Sequence, residues 1–257
     1  MRRPPNRCTP KMIPLLQREK IRPNWKRSHL HVQIGYMLDD LAPIIEVLQT
    51  LVFGIALESR PLDPSAELNP AESLLAADMT QLRRAQFAAG RACARAALGR
   101  IGRTSLTIAS DNDGVPLWPR GVVGSISHKY SQSIAVVGIM ESFQGIGIDL
   151  ERDEERDDRI LAAEIASAHE AREMVKLKRH SIEVASAATW LLSAKEATYK
   201  AVFPLLRIPF SWEDIQISFV PDEGRFVPRI REASHLPMRG AIMGEGKWIA
   251  AICWIPT

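Results

Sequence analysis

The sequence predicts an α+β protein, on three observations. Strand-like runs and helical patterns are mixed without the regular βαβ alternation of a parallel sheet. The C-terminal strand-like runs are joined by short turn signals, as in antiparallel hairpins. Each half of the chain offers several strands and one long helix, the parallel expected of a duplicated fold, although no residue-level repeat accompanies it. With 257 residues, 46% of them hydrophobic, the chain has material for one large or two small cores, which excludes collagen, wholesale disorder and a small disulfide scaffold.

Taken in order, residues 1–36 hold nine Lys or Arg against one acid, among scattered prolines and without an apolar period, so a disordered basic extension is expected there. The remainder carries 24 basic against 29 acidic residues, a balance that gives no reason to expect nucleic acid. Leu41–Leu57 is the longest apolar stretch, but Pro43, Glu46, Gln49 and Thr50 interrupt it, so no membrane span is predicted. Leu51–Glu58 reads as a strand and is followed by a Pro-rich loop. Ala71–Leu98 reads as a helix broken near Met79 or Thr80 and stopped by Gly99. Strands are expected at Ser105–Ala109, Gly121–Ile126, Ser133–Ile139 and Gly145–Glu151, then helices at Asp158–Lys178 and Ser186–Leu206. Asp214–Val220, Arg225–Ile230 and a hairpin from Met238 to Trp254, turning near Gly244–Gly246, complete the chain. The expected division is an N-terminal α+β half, 37–142, and a C-terminal α+β half, 143–257. Cys8, Cys93 and Cys253 form no C-x-x-C pair, so neither a disulfide framework nor a zinc site is indicated, and a reducing cytoplasm is the expected compartment.

Four constellations carry chemistry. In Gly145-Ile146-Gly147-Ile148-Asp149-Leu150-Glu151, strand period two puts Asp149 and Glu151 on one face. Two adjacent carboxylates that both stay ionised call for a cation, and hard oxygen donors suit Mg²⁺; a strand running out into an acidic loop gives the same pattern. In Ser193-Ala194-Lys195-Glu196-Ala197-Thr198-Tyr199-Lys200, Glu196 and Lys200 share a helix face, which by itself describes a surface ion pair equally well. Gly124-Ser125-Ile126-Ser127-His128-Lys129 delivers a hydroxyl, an imidazole and an ammonium at a strand end, donors that suit a phosphate. Arg84, Arg91 and Arg95 stack on one helical face without intervening acids, beside Gly90, where a ligand could approach the backbone.

These motifs, with Gly114-x-Pro116-x-Trp118-Pro119 between them, occur in an order and wording that resembles the 4′-phosphopantetheinyl transferase superfamily, in its Sfp-like branch typified by the siderophore enzyme enterobactin synthetase component D. The resemblance implies a pseudo-dimeric fold of two similar α+β halves meeting near Phe143, with the active site between them in a monomer. It implies transfer of 4′-phosphopantetheine from coenzyme A to a serine of an apo acyl, peptidyl or aryl carrier protein, with 3′,5′-ADP leaving. By the same resemblance Asp149, Glu151 and Glu196 are the ligands of Mg²⁺, or of Mn²⁺ in its place, with Glu196 as general base. Lys195 and Lys200 bind the pyrophosphate region, Ser127 and His128 contact phosphate, and Arg83 and Arg91 hold the ribose 3′-phosphate. Gln86 stands where the family commonly has Glu. Asn112-Asp113-Gly114 stands where it often has a basic residue, which would weaken one coenzyme A contact unless Lys129 or Arg120 substitutes. The rival readings are a different Mg²⁺-dependent phosphoryl-transfer enzyme and a non-catalytic coenzyme A or carrier-binding module.

Overall fold

The computed structural model describes residues 41–257 except 64, 154–157 and 181–185. The expected basic extension, 1–36, lies outside the described residues. Two antiparallel sheets organise the rest. The first has the order β1 (Ile55–Pro61), β3 (Gln132–Ile139), β2 (Val122–Lys129). The second has the order β4 (Phe143–Arg152), β8 (Trp248–Pro256), β7 (Arg239–Glu245), β6 (Arg225–Ile230), β5 (Ile215–Val220). Helices α1 (Ala42–Leu51), α2 (Pro70–Leu75) and α3 (Gln81–Arg100) precede β2, and α4 (Asp158–Ile165), α5 (Ala168–His180) and α6 (Ala187–Leu206) lie between β4 and β5.

The strand period sorts side chains into three cores. Ile134 and Val136 of β3 meet Ile146, Ile148 and Leu150 of β4 in a core shared by both sheets, which Ile44 and Leu48 of α1 also enter. The alternate residues Ala135 and Val137 face Cys93, Ala94 and Ala97 of α3. On the other side of the second sheet, Ile249, Ala251 and Cys253 of β8 pack against Leu191, Ala194 and Ala197 of α6. The order is therefore helix, sheet, sheet, helix, a mixed α+β architecture.

Four expectations are corrected. The strand expected from Leu51 begins at Ile55, and the segment before it is α1: Pro43 is compatible with a first helical turn, where its missing N–H leaves no bond unmade, and Ile44 and Leu48 supply the i, i+4 buried face. Ser105–Ala109 makes no strand. Its Ile108 N–H donates to Glu72 Oε1 at 3.0 Å and its Ile108 carbonyl accepts from Arg91 Nε at 2.8 Å, so side chains of α2 and α3 replace a neighbouring strand. The helix expected over Asp158–Lys178 is two helices, because Ser167 and Glu170 form a reciprocal capping box that starts α5. Finally, α3 runs past Gly99 to Arg100, and the left-handed residue after it is Gly102, at φ +67°.

Candidate active site

Strand β4 changes character along the face it shows to α6. An added Cβ on Gly147 would lie 2.0 Å from the Ala197 carbonyl oxygen, and one on Gly145 would lie 2.5 Å from that of Ala201. The helix backbone therefore rests directly on the strand at these two glycines. Two residues further on, the same face carries Asp149 and then Glu151, both buried. Lys200 of α6 reaches Asp149, with Nζ 2.6 Å from Oδ1, and Glu196, one turn earlier, places Oε2 3.7 Å from the same ammonium. Helix α6 is set in position at its start by Ser186, whose Oγ accepts from the Thr189 N–H at 3.2 Å.

The end of β2 supplies the other side of the cluster. Ser127 Oγ donates to Asp149 Oδ1 at 3.0 Å and accepts from the Leu150 N–H at 3.2 Å and from Lys200 Nζ at 3.3 Å. That uses the one donor and both acceptor positions of a hydroxyl. His128 Nε2 faces Arg83 Nη1 in a close contact, which makes Nε2 the acceptor of a neutral ring. Lys129 Nζ lies 2.7 Å from Glu151 Oε2.

Charge and burial work against each other here. Burial raises the Glu196 carboxyl above the ordinary range and the charges on Asp149 and Glu151 add to this, against Lys200. Glu151 is likewise raised, by burial first and by Asp149, with Lys129 opposing. Burial pulls Lys200 down, but the charges on Asp149 and Glu196 outweigh it and the ammonium ends above its usual value. For His128, burial, then Arg83 and Lys200, depress the ring to about 4. Among the described residues the acids do not already converge as a preformed three-ligand metal cage. The donor set nevertheless fits a hard divalent cation: Asp149 Oδ2 is buried without a hydrogen-bond partner, and Glu151 and Glu196 are carboxylates whose charge the surroundings disfavour.

The 4′-phosphopantetheinyl transferase N-terminal domain matches residues 71–138, and the 4′-phosphopantetheinyl transferase superfamily matches residues 145–253. The chain belongs to the 4′-phosphopantetheinyl transferase superfamily. It is 32% identical to the 4′-phosphopantetheinyl transferase Svp of Streptomyces mobaraensis over 206 residues, 76% of this chain and 79% of that one. It is 37% identical to PptT of Mycobacterium tuberculosis over 168 residues, 63% and 71% of the two chains. Enterobactin synthase component D of Salmonella typhi is 35% identical over 49% of this chain and 51% of its own. These relatives place the chain in the Sfp-like branch, and the enzyme transfers 4′-phosphopantetheine to carrier proteins. A solved holo-[acyl-carrier-protein] synthase from Thermotoga maritima covers 44% of this chain and 63% of its own, with 17% identity and a TM-score of 0.35.

Within this transferase the structure brings Asp149, Glu196, Lys200, Ser127 and His128 together, with Arg83 against His128 and Glu151 two residues along β4. It does not bring Lys195 there. Lys195 points from the opposite side of α6 and is fully buried, donating to the Ile165 carbonyl at 2.6 Å, the Trp212 carbonyl at 2.6 Å and Glu170 Oε2 at 3.1 Å. With all three protons used, it has none for a pyrophosphate. Ser127 is also reassigned, since its hydroxyl braces Asp149 and Lys200 instead of standing free for phosphate. Arg91 is buried, stacks at 4.0 Å over Phe87 and donates to Ile108 O and to Ser110 Oγ, the latter at 2.6 Å. Burial lowers it to about 10, still protonated at neutral pH.

The basic face of α3 has an internal partner that the sequence reading missed, for Arg95 Nη1 lies 2.8 Å from Glu72 Oε1. Glu72 carried a usable signal, as a first-turn acid of α2 behind the Asn69 cap. Gly90 is small for protein packing and not for a ligand, because a Cβ there would come within 2.8 Å of Ile126. Lys129, one of the two candidate substitutes for the missing basic residue near Asn112, lies on Glu151 in this structure. That loop instead receives Arg207, whose Nη1 lies 2.6 Å from Asp111 Oδ2 and 3.1 Å from Asp113 Oδ2.

The depressed His128 has a consequence for stability. The unfolded ring titrates near its ordinary value and the folded one near 4, so between these limits the unfolded state binds more protons, and stability falls as pH falls through that window. The His128→Gln variant is expected to lose less stability than the wild type when urea midpoints at about pH 7 and about pH 4.5 are compared. Equal losses in the two proteins would refute this account of His128.

Proposed function

We propose that this transferase takes 4′-phosphopantetheine from coenzyme A, with Mg²⁺ or Mn²⁺ held by Asp149, Glu151 and Glu196, and passes it to the serine hydroxyl of an apo acyl, peptidyl or aryl carrier protein, releasing 3′,5′-ADP. It works as a cytoplasmic monomer, with the site at the junction of halves 37–142 and 143–257. The observation that supports this reading is the meeting of Ser127 and Asp149, from two different sheets, with Lys200 of α6, beside a buried and unpartnered Asp149 Oδ2. Nothing in it requires a nucleophile from the enzyme, and the described cysteines, Cys93 and Cys253, are buried thiols raised by burial to about 12.

In this reading the carrier serine attacks the β-phosphate of coenzyme A. Glu196, on the helix face beside Lys200 and Asp149, accepts the serine proton. Lys200 keeps its proton and offers it to the phosphate oxygens that gain charge as 3′,5′-ADP departs. Ser127 and Lys200 both engage Asp149 Oδ1, which leaves Oδ2 without a hydrogen-bond partner as the oxygen that would be offered to the metal. A bound Mg²⁺ supplies charge neutralisation on the pyrophosphate oxygens. Arg83, oriented by neutral His128, and Arg91 hold the ribose 3′-phosphate end, Arg91 by ordering the Ile108–Ser110 segment.

The test is the intact mass of apo acyl and peptidyl carrier proteins after incubation with the enzyme, coenzyme A and Mg²⁺, with an EDTA control. Addition of one phosphopantetheinyl group, abolished by EDTA, is the expected result. Addition that persists in EDTA would remove the metal from the reading. Coenzyme A hydrolysed without any gain of carrier mass would replace transfer with hydrolysis.

A further inference from the structure

We infer that Lys129 is a built-in counter-ion for Glu151 that competes with the divalent cation and keeps the site's metal affinity low until the phosphates of the donor arrive. This rests on the reading of Asp149, Glu151 and Glu196 as the metal carboxylates.

Of the three acids read as metal ligands, Asp149 and Glu196 already face the Lys200 ammonium and Glu151 faces the Lys129 ammonium, so much of the charge a divalent cation calls for is opposed before it enters. The two lysines are held differently. Lys200 is fixed by Asp149, Ser127 and Glu196 together. Lys129 Nζ lies 2.7 Å from Glu151 Oε2, a charge contact without hydrogen-bond alignment that leaves this oxygen, like Asp149 Oδ2, open to a cation. The lysine side chain is 31% exposed, against 10% for Glu151. The carboxylate is therefore anchored inside the protein, while the ammonium sits at the rim with a path into solvent. Next in the chain, Tyr130 occupies the left-handed region at φ 48° in the tight turn from β2 to β3, a conformation that the two-residue loops of hairpins call for. Its ring lies 5.8 Å from the Lys129 ammonium and 5.4 Å from the Arg152 guanidinium. The turn thus delivers Lys129 over the end of β4.

A cation entering between Asp149 and Glu151 has to displace Lys129 from Glu151 or tolerate its charge. An anionic phosphate donor changes both terms. It adds negative charge to the site and gives the displaced ammonium a new partner at the rim. Metal and donor then load cooperatively, each raising the other's affinity by the same factor.

The experiment is titration of the metal-free protein with Mn²⁺, followed by the loss of the free-ion electron paramagnetic resonance signal, with and without coenzyme A. Lys129→Met is expected to bind Mn²⁺ at least about tenfold more tightly than the wild type without coenzyme A, because removing a unit charge a few ångströms from a divalent ion is worth more than the ~1.4 kcal/mol that makes a factor of ten. With coenzyme A present the difference narrows. Lys129→Arg keeps wild-type affinity, and Lys129→Gln repeats the effect should the methionine variant fold poorly. Mn²⁺ binding by Lys129→Met and Lys129→Gln that is no tighter than wild type overturns the inference. Adding Asp149→Asn separates the two levels of the argument. If it abolishes Mn²⁺ binding while the Lys129 variants bind no tighter, the role of Lys129 falls and the metal carboxylates stand. If tight binding survives Asp149→Asn, the ion sits elsewhere and both fall.

Discussion

Glu196→Ala is expected to lower the rate of phosphopantetheinyl transfer by about 10³-fold or more, because it removes the proposed base and one metal ligand together. The fold should survive the change. The Glu196 side chain is about a third exposed, and its ion pair is loose, at 3.7 Å from the Lys200 ammonium, a partner that Asp149 holds more closely at 2.6 Å. Removing Glu196 also relieves its repulsion from Asp149 and Glu151, so thermal melting is expected within a degree or two of the wild type, or slightly above it. Glu196→Gln, which keeps the shape and loses the charge, should fail to the same extent. The rate of carrier mass gain and a melting curve on one preparation decide the matter. A folded Glu196→Ala enzyme that keeps more than about a tenth of the wild-type rate would remove Glu196 from the chemistry.

Lys195→Met should produce the opposite pattern, a large loss of stability with little change in the Michaelis constant for coenzyme A. Lys195 and Glu170 are almost completely buried, at 0% and 1% exposure, and their ion pair is closed at 3.0 Å. Burial pulls the lysine below its ordinary value and Glu170 pulls it back, so the pair exists as a unit within the α5, α6 and β5 layer. Glu170 also receives the Ser167 and Ile217 amides, which leaves it no route to water when Lys195 is gone. An uncompensated buried carboxylate costs about 3–5 kcal/mol. Urea denaturation is the measurement, and Glu170→Gln in the same chain is expected to recover part of the loss by removing the charge while keeping an oxygen for one amide. A Lys195→Met enzyme of near wild-type stability with a sharply raised Michaelis constant for coenzyme A would return Lys195 to the substrate site.

These two neighbours on one helix show where sequence reading stops. Lys195 and Glu196 are adjacent letters in one motif, yet a helix turns by about 100° per residue, which sends one side chain to the α5 side and the other to the β4 side. Which side is the site depends on what packs against each face. The two glycines of β4 decided that, by letting the Ala197–Ala201 backbone lie on the strand. Read as letters, Gly145 and Gly147 were part of a motif; their reason, contact with a helix some fifty residues away, required the packed structure. Glu72 and Glu170 show the same limit for local signals, since each belongs to a capping pattern at a helix start that says nothing of its distant partner, Arg95 or Lys195.

The sequence by itself determined the α+β class, most of the elements after Pro70, the face shared by Asp149 and Glu151, and, through five ordered motifs, the transferase family. Period and spacing suffice for the class, the elements and the shared face, because they are properties of single segments, whereas the family rests on the resemblance of its motifs. Only the tertiary structure decided that Asp149 meets both Lys200 and Ser127, that Lys195 and Arg95 spend their charge on internal acids, that Ser105–Ala109 needs no strand partner, and that Lys129 lies on Glu151. The physical reason is that a charged side chain brought out of water is claimed by whichever counter-charge or carbonyl the packing sets within about 3 Å, and that distance is fixed by sheets and helices far apart in the chain.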